Sequence, residues 1–149
     1  MTNRNPPSGT DELAHEHAHL GNLLGRVRRL LVAPSEENRD GMLGALLEQL
    51  TIEVREHMEF EERGGYLAPV QQRMPELFGT IEQMRGEHTV LQSKLAQILT
   101  DARTRPGVYE FREEVSPQLQ HWLDSMRDHE RRENMLVQDA FSTDISACD

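Results

Sequence analysis

The sequence predicts an all-α fold, an antiparallel four-helix bundle with up-down-up-down order, and three observations carry that prediction. Apolar residues recur at alternating steps of three and four along four long stretches, Pro and Gly breaks separate the stretches, and no segment has the alternation or β-branched runs of a strand. The chain also repeats itself. Glu16-His17 followed by Leu20, Leu24 and Val27 matches Glu87-His88 followed by Leu91, Leu95 and Ile98, while Leu50, Val54, His57, Glu61 matches Trp122, Met126, His129, Glu133. Two helical hairpins of one design are expected to face each other.

Residues 1–9 are polar and Pro-rich and read as a disordered lead, followed by a bundle over 10–141 and a flexible polar tail over 142–149. Thr10 is placed to cap the first helix, with Asp11 and Glu12 in its first turn, where the helix dipole favours negative charge. Its seam is Leu13, His17, Leu20, Leu24, Val27 and Leu31. Ala33-Pro34 ends it, and Ser35 can cap a second helix that opens with Glu36 and Glu37 and carries Leu43, Leu47, Leu50, Val54, His57 and Glu61. Gly64-Gly65 ends that helix, and 64–75 is expected as a connection.

Pro75 suits the first turn of a third helix, over about 75 to 102, with Leu77, Ile81, Met84, His88, Leu91, Leu95 and Ile98 in its seam. Arg105-Pro106-Gly107 makes the next break. The fourth helix carries Val115, Leu119, Trp122, Met126, His129, Glu133, Leu136 and Ala140. Pro117 either opens it, with Ser116 as cap, or kinks a helix begun near Val108; the helical spacing of Val108, Phe111 and Val115 favours the kink.

The 149 residues suit one domain, and 28% charged residues with 36% hydrophobic ones suit charged faces around narrow apolar seams. No apolar run approaches the ~20 residues of a membrane span, and the first residues lack a signal peptide's apolar segment, so a cytoplasmic protein with no membrane partner is expected. A net charge of −10, with only Arg26, Arg28 and Arg29 clustered, argues against nucleic acid as a partner. The single cysteine, Cys148, excludes an intrachain disulfide and a thiolate metal site.

The seams contain residue types that resist burial. His57 and Glu61, and again His129 and Glu133, stand four apart, so each pair directs an imidazole and a carboxylate at one point on a helix face. His17 and His88 continue the other two seams. In an antiparallel bundle all six positions fall at one end. Isolated buried carboxylates would cost several kcal/mol each, so four imidazoles and two carboxylates are expected to meet around metal. Zinc in a structural site wants a closed set of four, and calcium and magnesium want oxygen. Two transition-metal ions, iron or manganese, suit the mixed set, and bridging carboxylates leave positions free for an oxo or hydroxo bridge and exogenous ligands.

His15 and His19 lie about 160 degrees around the first helix from His17, and His121 is one position out of register, so all three are expected at the surface. Glu16, Glu59, Glu62, Glu87 and Glu130 are candidates for acceptors that orient the imidazoles, and Glu62 competes with Glu61 as ligand but lacks its seam register. Tyr66 is favoured as a loop-packing residue, with reach to the open end of the site as the alternative, and Met84 and Met126 are expected to line the pocket rather than coordinate.

Over about residues 10 to 141 the chain resembles the hemerythrin-like, or HHE cation-binding, domains. Their motif is His, then His-x-x-x-Glu, then His, then His-x-x-x-Glu, and His17, His57, Glu61, His88, His129 and Glu133 fill it in order. The resemblance implies two iron ions in a non-haem, carboxylate-bridged centre that binds dioxygen, nitric oxide or hydrogen peroxide. Oxygen-carrying hemerythrins have a further His where this chain has Gln92, and end on an Asp where it has Asn134. One ligand fewer points away from reversible oxygen carriage, toward a sensor or scavenger of these ligands. The alternatives are a catalase-like di-iron enzyme, and an iron storage or repair protein or a metal-free structural bundle.

Overall fold

The computed structural model describes residues 9–33, 38–65 and 67–147, and the side chains of residues 18–33, 38–63 and 67–140. Four long helices form the molecule: α1 (Gly9–Val32), α2 (Arg39–Phe60), α4 (Phe78–Ala102) and α5 (Ser116–Ala147). A short α3 (Leu67–Arg73) and a two-stranded ribbon, β1 (Arg103–Arg105) and β2 (Val108–Tyr109), fill two of the connections. Among the described residues no helix is long and apolar enough to cross a membrane.

The seams read from the sequence are the buried faces. Leu20, Leu24 and Val27 of α1, Leu43, Leu47, Leu50 and Val54 of α2, Leu91, Leu95 and Ile98 of α4, and Leu119, Trp122 and Met126 of α5 join one apolar cluster. Each large side chain taken from water there stabilises the fold by roughly 1.5–3 kcal/mol. A second, smaller cluster gathers Leu67 and Val70 of α3, Ile81 of α4 and Leu136 and Ala140 of α5. Along α4 the buried residues between Ile81 and Leu91 are Met84 and His88; along α5 those between Met126 and Leu136 are His129 and Glu133. The buried polar groups therefore form a layer between two apolar ones.

The three connections and the C-terminal end of α5 differ from the sequence expectation. The helix after residue 33 begins at Arg39, behind Asn38, which makes no side-chain cap; the expected cap Ser35 lies outside the described residues, as do residues 1–8. The segment expected as a bare connection over 64–75 contains α3, whose Leu67 and Val70, one turn apart, are fully buried against Ile81, Leu136 and Ala140. Before it, Glu61–Gly65 continues α2 as a π-helical turn instead of ending it, the kind of widened turn that often marks a functional position.

Pro117 lies in the first turn of α5 and kinks nothing. Val108, Phe111 and Val115 are part-buried or buried, as their spacing suggests, but Val108 is in a strand. Tertiary anchoring wins over that spacing. Gly107 turns the ribbon with φ of 76°, the Glu110 amide donates to Ala102 O at 2.8 Å, and the Tyr109 hydroxyl donates to Glu48. The Tyr109 ring lies where a side chain on Gly44 would be, so the glycine in α2 makes room for the ribbon. At the C-terminus α5 runs to Ala147, past the start of the expected tail at residue 142.

Candidate metal centre

Each buried polar residue continues an apolar seam, and so is carried inward by the packing of its own helix. On α2, His57 is 2% and Glu61 1% exposed; on α4, His88 is 1%; on α5, His129 is 1% and Glu133 0%. Five ionisable side chains at such depth require partners.

Glu133 is the junction between them. His88 Nε2 lies 2.8 Å from Glu133 Oε1, and His129 Nε2 contacts the same oxygen. Across the layer, His57 Nε2 lies 2.7 Å from Glu61 Oε1. Ligand-type atoms of His88, His129 and Glu133 fall within 4.8 Å of one another, and so do those of His57, Glu61 and Glu133. Two triads thus share one carboxylate. The rings of His88 and His129 meet edge to face, 4.9 Å between centroids.

Burial pushes the Glu133 carboxyl up, but hydrogen bonding with His129, His88 and Glu61 prevails and holds it well below the usual carboxylate range. Glu133 is thus the carboxyl of the layer held toward its ionised form. Glu130, the neighbour of His129, goes the other way: burial, and then the charge of Glu133, push its carboxyl up to about 7. Folding then disfavours its ionised form, so its stability contribution is full below the unfolded carboxylate value of ~4.3 and falls as pH rises from there toward about 7. In metal-stripped protein, Glu130→Gln is expected to flatten that decline and to gain ~2–3 kcal/mol near pH 8 after allowance for partial exposure. Urea titrations of both proteins at pH 5 and pH 8 check it.

The other sequence candidates separate cleanly. His17 lies on α1, but its side chain and that of His15 are outside the described residues, as are Tyr66 and Cys148. His19 is exposed, 3.4 Å from Glu53, and His121 is exposed. Met84 and Met126 are buried in their seams. Of the expected outer carboxylates, Glu59 is exposed, whereas Glu62 comes within 3.3 Å of His88 Nδ1 and Glu87 within 3.7 Å of His129 Nδ1. Gln92 donates to Met58 Sδ at 3.3 Å.

Sequence reasoning missed Arg132, which takes Glu87 with both terminal nitrogens, one at 2.9 Å, and Asp128 with Nε at 3.0 Å. Its spacing of four from Asp128 was the available signal. A surface groove of about 480 Å³ between α4 and α5, lined by Gly86, Glu87, Val90, Leu91, Ser125 and His129 among others, opens beside the centre. A larger groove of about 660 Å³ between α1 and α2 is lined, among the described residues, by no carboxylate or imidazole.

Residues 8–141 match the model of one protein family, described as the Hemerythrin HHE cation binding domain. No curated protein and no solved structure matches the chain.

Proposed function

The chain belongs to the hemerythrin HHE cation-binding domain family, and from that premise we propose that it is a non-haem di-iron protein that binds or senses dioxygen, nitric oxide or hydrogen peroxide. The observation that carries this reading is the shared carboxylate of Glu133, a member of both buried triads. The donor set fits the group: imidazole nitrogen and carboxylate oxygen, without thiolate, suit iron or manganese. His88, His129 and Glu133 would hold one ion and His57, Glu61 and Glu133 the other, with His17 as the sixth ligand. Bound iron supplies positions at which a small ligand can bind and exchange electrons.

The chain's own part is to present these donors and keep bulk water away. Leu67, Ile81 and Leu136 close one side of the polar layer, and Met58, Leu91 and Met126 the other. Ligand positions at the end of α2, in the first half of α4 and midway along α5 come together, which supports the up-down-up-down order for the bundle. A cytoplasmic setting belongs to the same proposal and rests on the composition.

Metal content per chain, measured on untagged protein made without added zinc or nickel and paired with an absorption spectrum, tests it. The expected result is about two irons with near-ultraviolet charge-transfer bands. Chelation should then lower the melting temperature, because an ion bound only by the folded state stabilises it. No metal, or one zinc, together with unchanged stability after prolonged chelation, would return the layer to a structural polar network. A second reading, decomposition of hydrogen peroxide in a catalase-like way, is favoured by Gln92, whose amide turns to Met58 and leaves the centre one donor short of the oxygen-carrying pattern.

A further inference from the structure

We propose that Glu62 and Glu87 are positioning residues for the ligand half formed by His88, His129 and Glu133, each taking the outward Nδ1–H of one imidazole so that Nε2 is presented to metal. This rests on the di-iron reading above and adds two residues to one of its halves. His88 and His129 are oriented alike: Nε2 of each faces Glu133, and Nδ1 of each faces away from it, toward a carboxylate. A neutral imidazole carries one proton, and an acceptor at Nδ1 fixes that proton there, leaving the Nε2 lone pair free. It also holds the ring and raises its donor strength.

The two carboxylates reach their places by different means. Glu62 follows Glu61 directly in the π-helical turn, and the two neighbours serve one centre, Glu61 from inside and Glu62 across to α4 at 3.3 Å from His88 Nδ1. Its side chain is 39% exposed, and its reach to the imidazole is across to another helix. Glu87 precedes His88 on α4 and turns to α5, where Arg132 grips both of its oxygens. A paired guanidinium fixes a carboxylate in plane and in direction. His129 Nδ1 is buried with no hydrogen-bond partner, and Glu87 Oε1 stands 3.7 Å away, about 0.5 Å beyond hydrogen-bonding reach. A small turn of either side chain closes that gap.

Both carboxylates serve the same triad, and this separates the proposal from a general structural role. Stepwise titration with cobalt(II) or zinc against a competing chelator reads the two halves as separate equivalents. Glu62→Ala and Glu87→Ala should each weaken one equivalent by 10- to 100-fold, with the other within about threefold of wild type and metal-free melting unchanged. Glu62→Gln and Glu87→Gln, whose amide oxygens still accept a hydrogen bond from Nδ1–H, should recover part of the loss. Arg132→Ala should reproduce a fraction of the Glu87→Ala effect and add nothing to it in the double variant.

In zinc-loaded protein with 15N-labelled histidine, the Nδ1–H resonances of His88 and His129 should be slow to exchange, and each should be lost selectively in its own alanine variant. Equal weakening of both equivalents, lowered metal-free stability without loss of affinity, or unchanged affinity and Nδ1–H signals would overturn the proposal. Wild type that binds neither metal overturns the di-metal reading itself, an outcome distinct from all of these.

Discussion

Glu133→Ala is expected to abolish stoichiometric metal binding at both positions, taking the protein from about two ions per chain to none retained through desalting. The reason is geometric. Glu133 is the member common to the two buried triads, and it is fully buried on α5 with His88 and His129 on one of its oxygens. Its removal leaves each half with one donor fewer and takes away the central negative charge that two dications need. Glu61→Ala is the matched control: it spares His88, His129 and Glu133, so one ion should remain. Metal analysis after desalting, repeated for both variants, gives the answer; two ions retained in Glu133→Ala would defeat the shared-carboxylate reading.

The same variant settles the catalytic alternative. Oxygen evolution from added peroxide should vanish with Glu133, and activity that survived would belong to loosely held iron. Acid response adds a measurement free of metal. Because the folded protein holds the Glu133 carboxyl below the usual range, its ionised form contributes stability above the unfolded carboxylate value of ~4.3, and that contribution is lost as pH falls through the depressed folded value. Chelated Glu133→Gln should therefore be less sensitive to acid than chelated wild type, whatever its stability at neutral pH.

The centre was legible in the sequence because burying ionisable groups leaves a pattern. His57, Glu61, His88, His129 and Glu133 each occupy a step of an apolar 3-4 period, and in helices that period fixes the face. Once the seams pack, the residues have nowhere to go but inward, and all five are at most 2% exposed. The outer carboxylates had no such period. Glu62 and Glu87 lie off the seams, as Glu59 does; only the π-helical turn and the grip of Arg132 distinguish them. The Val108 to Val115 stretch misled for a related reason. Its helical spacing matches its burial but not its backbone, because Gly107 turns the chain at positive φ just before Val108, and Tyr109 seats over Gly44, more than 60 positions away.

Trp122→Ala should have the largest effect on the fold itself, a loss of about 3–5 kcal/mol in unfolding free energy. Trp122 is the largest fully buried side chain, and its indole N–H donates to the Leu91 carbonyl at 2.8 Å. Leu91 lies one turn from His88 on α4, and Trp122 two turns from His129 on α5, so this contact joins the two helices that bring imidazoles to Glu133. Truncation would leave a void that the surrounding Leu and Met side chains fill only in part. Trp122→Phe separates the contributions: most of the volume stays and the hydrogen bond goes, with an expected loss of about 1–2 kcal/mol. Urea unfolding measures both. If the packed indole sets the spacing of α4 and α5 as well as stability, the phenylalanine variant keeps its full metal content, while the alanine variant loses affinity in the His88 and His129 half before the other. Equal losses in the two variants would mean that the hydrogen bond, and not the packed indole, holds the helices together.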